Sequence, residues 1–151
     1  VRRELLAAAH VLDLAELAIN LSEHHSTMGL MSPDYAKLRT WIAAQGGPLP
    51  EELPPGLAKM GVIGCQTWKT SRGKVSLVCF VGENMQVAHL YVFEQMPREF
   101  EKGGVPSVAE PRLERAGNWS LAVWQDEGRG YVLGWAVEDG QVPDIGRLFR
   151  A

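Results

Sequence analysis

The chain reads as an α+β domain: N-terminal helices, an antiparallel β-sheet of about five strands, and a short C-terminal helix. Three observations predict this. Residues 1–26 hold neither Gly nor Pro, and Leu5, Leu12 and Ile19 recur every seventh position with Ala8 and Ala15 between them. That is a helical stripe. The stretch Val62 to Phe93 then holds three apolar runs joined by turn residues. Lastly, helical and strand patterns are segregated along the chain rather than alternating. At 151 residues the length fits one domain. It divides into an amphipathic helix over 1–27 and an α+β domain over 28–151.

The first helix is expected to end near His24-His25, where protonated imidazoles suit a helix C-terminus. Ser32-Pro33-Asp34 predicts a second helix, with Ser32 as N-cap, Pro33 at the first position and Asp34 against the positive end. Tyr35, Leu38, Trp41 and Ile42 form its apolar face, and Gly46-Gly47 stops it. Residues 48–61 carry four prolines and the anchors Leu49, Leu53, Leu57 and Met60. They read as an ordered connector with at most a short helix between Glu51 and Met60.

The strands follow. Ser71-Arg72-Gly73 suits a three-residue hairpin loop, which pairs Thr70 with Lys74 and sets Cys65 opposite Cys79. Gly82-Glu83-Asn84 forms the next turn. The strand after it alternates Val87, His89, Tyr91 and Phe93 against Ala88, Leu90 and Val92, so His89 falls beside Leu77, Val78 or Cys79. Met96 to Ala116 is charged, contains Gly103-Gly104, and reads as a long surface loop. Trp119 to Gln125 and Tyr131 to Val137 are two more strands, joined by Asp126 to Gly130. Trp119, Leu121 and Val123 share one face; Ser120, Ala122 and Trp124 share the other. Pro143 opens a short C-terminal helix that turns Leu148 and Phe149 inward.

Composition narrows the partners. Net charge is −3, and no Lys/Arg cluster interleaves with aromatics, which argues against duplex nucleic acid. No apolar run approaches the roughly 18 to 20 residues of a membrane span. The chain begins Val1-Arg2-Arg3 with no signal-peptide core, so a fragment or processed form is expected, with any targeting segment upstream.

Cys65 and Cys79 lie fourteen apart, which is not a zinc-ligand pair. Facing each other across a ladder, they could form a disulfide in an oxidising compartment, and in a reducing one they would be buried thiols. Cys65, Cys79 and His89 are the metal-ligand candidates if all three share a face, although no fourth ligand is suggested by spacing. His89 is otherwise a half-buried strand histidine. His24 and His25 point about 100° apart and chelate poorly. Gly-x-Ser-x-Gly, GxGxxG and P-loop motifs are absent, and Glu94, Glu99 and Glu101 belong to a charged run. No catalytic residue and no cofactor is therefore expected. The five tryptophans read first as core filling, with an interaction surface as the alternative.

Gly64-Cys65, Trp68, the Gly73 to Leu77 run, Cys79-Phe80 and the Val87 to Val92 strand carry a resemblance. So do Gly117-Asn118-Trp119, Trp124, Gly128 to Gly130 and Tyr131-Val132-Leu133. Over Tyr35 to Phe149 the chain resembles the C-terminal domains of bacterial transmembrane anti-sigma factor-like regulators. The resemblance implies a non-enzymatic sensory or interaction domain in transcription regulation, on the periplasmic side of the inner membrane. It implies a protein partner, with a sigma factor contacted only through a segment absent from this chain, and a membrane only through an upstream span. Leu5 to Leu21 would be the stalk. The chain departs from the family in lacking both the span and a zinc-binding anti-sigma motif, so no residue here is assigned to sigma binding. Two readings stand beside it: a thiol- or metal-based sensor using Cys65, Cys79 and His89, and a soluble, cytoplasmic ligand-binding domain.

Overall fold

A computed structural model describes residues 28–70, 73–82, 86–95, 107–116, 119–136 and 144–150. The expected helix and stalk over 1–27 lie outside the described residues, as do His24, His25, Glu99, Glu101, Gly103-Gly104 and Gly117-Asn118.

The core of the fold is an antiparallel sheet. Its strands are β1 (Leu30–Met31), β2 (Gly61–Thr70), β3 (Gly73–Val81), β4 (Val87–Phe93), β5 (Arg112–Ala116), β6 (Trp119–Asp126) and β7 (Arg129–Ala136). Seven strands in the order β1-β2-β3-β4-β7-β6-β5 replace the expected five or so. The additional strands are the two edges. β5 falls inside the expected 96–116 loop, and its Arg-Leu-Glu-Arg-Ala sequence carries no apolar run. It is held by pairing with β6, from Arg112 opposite Val123 to Ala116 opposite Trp119. β1 is two residues long, set against Gly64 and Cys65.

Helix α1 spans Tyr35–Ala44. Its N-cap is Asp34 rather than Ser32. Asp34 is extended (φ −97°, ψ 107°), and its carboxylate accepts the Ala36 N–H at 3.0 Å. Ser32 acts one step earlier, its Oγ accepting the Asp34 N–H at 3.1 Å. The helix stops as the two glycines require. Gly46 takes φ +72°, the Gly46 N–H donates to Ala43 O, and the Gly47 N–H donates to Ile42 O, which is a Schellman closure. The connector holds a single short helix, α2 (Pro55–Ala58). It is ordered as expected: Arg39 donates to Pro50 O at 2.9 Å, and Arg129 donates to Leu49 O at 2.7 Å. A 3₁₀ helix, Ile145–Phe149, closes the described chain.

Period-two alternation divides the strands between two faces. On the first, Phe80, Leu90, Trp124, Leu133 and Trp135 meet Leu38 and Ile42 of α1, Leu57 of α2, and Ile145 and Leu148. Trp124 stacks on Tyr131 with ring centres 5.1 Å apart and meets the edge of Phe149, so this tryptophan fills core, and Leu148 and Phe149 do turn inward. Leu38, Ile42 and Leu57 are fully buried, which contributes about 1.5–3 kcal/mol each. The second face gathers Val75, Leu77, Tyr91, Leu121, Val123 and Val132, also buried. Two buried faces explain why β3 and β4 read as near-continuous apolar runs.

Candidate functional site

The β2–β3 hairpin decides where the cysteines go. Thr70 pairs with Gly73, not Lys74, so the loop is two residues rather than three and Cys65 meets Val78. An irregularity between Val62 and Gly64 then shifts the ladder once more, after Cys79 has met Gly64. One residue of slip reverses the face of a side chain. Cys65 therefore lies on the helix-covered face, its thiol 3.9 Å from Leu38 O, while Cys79 lies on the other. Both thiols are free and buried. The expected Cys65–Cys79 disulfide and the three-residue set Cys65, Cys79 and His89 thus lose the shared face they required. Among the described residues no group of three or more His, Cys, Asp or Glu side chains is placed to hold a metal ion.

Cys79 and His89 do come together. They are direct cross-strand partners, one of the three alignments expected, and Cys79 Sγ lies 3.4 Å from His89 Nδ1. The His89 ring also meets Trp119 edge-on, 5.4 Å between centres. Burial sets the charge state of the pair. It pushes the Cys79 thiol up to about 12, with a smaller contribution from Cys65, and moves His89 below its ordinary 6.5. Cys65 rises to about 11 for the same reason. A reactive cysteine needs its thiolate, and a neighbouring imidazolium to stabilise it. This environment favours the thiol and the neutral imidazole instead.

A second site lies at the end of the sheet where β2 and β4 begin and β3 and β7 end. There α2 meets the C-terminal 3₁₀ helix across a cleft of about 890 Å³. The approach is close because position 56 is glycine: a Cβ there would sit 2.7 Å from the Leu148 Cα. Trp135, Met60, Val81 and Leu148 supply apolar wall, and Lys59, Arg147 and Arg150 supply charge. The Arg147 guanidinium lies 5.8 Å from the centre of the Trp135 ring. Arg150 is paired with Asp144 at 2.8 Å, both side chains largely exposed. Trp135 is 2% exposed, and its Nε1–H has no acceptor among the described residues.

Sequence reading missed this cleft. Its cations lie 88 residues apart, at 59 and at 147–150, and Trp135 carried only a core-filling signal. Arg147 on the short closing helix and Arg150 just after it were the one local hint.

No family model, curated protein or solved structure matches the chain.

Proposed function

We propose that this chain is the sensory or interaction domain, on the extracytoplasmic side of the membrane, of a transmembrane anti-sigma factor-like transcription regulator. It acts by binding a protein or ligand, not by covalent chemistry. The observation that supports this most directly is the state of Cys79 and His89. Their 3.4 Å contact is the geometry of a nucleophile and its base, yet burial raises the thiol to about 12 and lowers the imidazole. A thiol held neutral beside a neutral imidazole is a poor nucleophile. The resemblance over Tyr35 to Phe149 supplies the class of regulator.

The test begins with the reading frame upstream of Val1. An apolar span of about 20 residues, preceded by a small cytoplasmic segment, supports the proposal. Deleting 28–151 from that full-length protein should then alter transcription from the promoters its sigma factor serves. A start codon immediately before Val1 overturns the reading and moves the weight to a cytoplasmic binding domain.

One observation favours a second reading, a thiol-based sensor: the contact of Cys79 with His89, which offers an imidazole to a thiol undergoing oxidation. It requires a mass gain at Cys79 when the folded protein meets peroxide.

A further inference from the structure

We propose that the cleft between α2 and the C-terminal 3₁₀ helix binds a small organic anion: a phosphate or carboxylate group on an apolar or aromatic body. The inference concerns this cleft alone and holds whether or not the chain belongs to a membrane regulator.

Charge points to the anionic group. The chain as a whole is acidic, at −3, yet Lys59, Arg147 and Arg150 line this cleft and, among the described residues, no carboxylate side chain does. Asp144 stands nearest in role, holding Arg150 at 2.8 Å. Lys59 and Arg147 have no carboxylate partner among the described residues. Arg147 is placed against the Trp135 ring, so its charge is held at the wall of the cleft while its N–H groups remain available. Two cations with no counter-ion among the described residues, beside a third, form a site that an anion completes.

The indole gives an independent sign. A buried donor without an acceptor is costly to a folded protein. Trp135 lines this cleft, is 2% exposed, and has no acceptor for its Nε1–H among the described residues. An oxygen of the bound anion would supply one where ligand entry uncovers this nitrogen, which is closed to solvent in this structure.

The rest of the wall describes the body of the ligand. Met60, Val81, Leu148 and the Trp135 ring are apolar, and a volume of about 890 Å³ exceeds what a bare phosphate needs. Sites for small molecules combine such apolar lining with a few placed polar groups. The close approach enforced at Gly56 keeps α2, which leads into Lys59, against the element that carries Arg147.

The experiment is a titration of the full ¹⁵N-labelled chain with phenyl phosphate, benzoate and inorganic phosphate, followed by two-dimensional NMR. Saturable shifts are expected for phenyl phosphate or benzoate at the Trp135 indole N–H and at the amides of Gly56, Gly61 and Gly82. Binding should weaken as salt rises. Lys59→Gln combined with Arg147→Gln should weaken it by about tenfold or more. Both side chains are exposed, so the double variant should keep its fold, and Arg150→Gln serves as a second variant should its spectrum collapse. Absence of saturable shifts, or shifts unchanged in the charge variants, overturns the site. Inorganic phosphate binding as tightly as phenyl phosphate overturns the organic body. None of these outcomes touches the regulator reading, which stands or falls on its upstream frame.

Discussion

Burial pushes the Cys79 thiol to about 12 and the Cys65 thiol to about 11, from an ordinary 9.0. The folded state therefore keeps protons that the unfolded state releases above 9. Stability from these groups is complete below 9 and is lost as pH rises through the folded values. His89 runs the other way. Its pKa is lowered, so the unfolded state takes the proton first, and stability present above 6.5 is lost as pH falls below it. Stability should thus be greatest between roughly 6.5 and 9 and fall on both sides. Tyr131, also raised by burial, adds to the alkaline limb. Urea unfolding against pH separates the contributions. Cys79→Ala should flatten the alkaline limb by up to about 1.4 kcal/mol per pH unit. His89→Gln should flatten the acid limb and leave the alkaline one alone. Limbs of unchanged slope in both variants would show that neither group sets the profile.

At the scale of elements, α1 offers the sharpest test, because its start departs from the expected one. The Asp34 carboxylate caps the Ala36 N–H, while Ser32 supports Asp34 rather than the helix. Asp34→Ala should cost about 1 kcal/mol, and Asp34→Asn should recover most of it. Ser32→Ala should cost less than Asp34→Ala, and equal costs would restore Ser32 as the cap; denaturant midpoints decide. This element also shows what sequence reading can reach. The apolar face of α1, its glycine stop, the short connector helix and the alternation of β6 all follow from periods and punctuation that neighbours cannot easily override. The cap failed because Ser32 and Asp34, two residues apart, both fit the role, and only backbone angles choose between them. β5 failed because its support is a partner strand, which composition does not show. The register failed because one residue fewer in the loop moves Cys65 to the opposite face from Cys79. The cleft was out of reach for a related reason: residues 59, 135 and 147 share no local pattern, and only the closed fold makes them neighbours.

Over the whole molecule, the chain forms two antiparallel meanders, β1-β2-β3-β4 and β5-β6-β7, joined where β4 lies against β7. The join runs from Ala88 opposite Trp135 to Phe93 opposite Gly130. At its middle Leu90 faces Leu133, both fully buried and both in the cluster that packs under α1, α2 and the 3₁₀ helix. Side chains from both meanders also share the second face, Leu77 and Tyr91 from one, Leu121 and Val132 from the other. Neither meander owns a complete core on either face, so they should unfold together. Leu90→Ala removes packing from both at the join and should cost about 2–5 kcal/mol. Hydrogen exchange gives the reading. Amides of β3 and of β6 should lose protection by the same free energy in this variant, although Leu90 belongs to neither strand. Loss confined to β3 and β4, with β6 unchanged, would mean that the meanders are separate folding units and that the β4–β7 seam is an interface rather than the centre of one core.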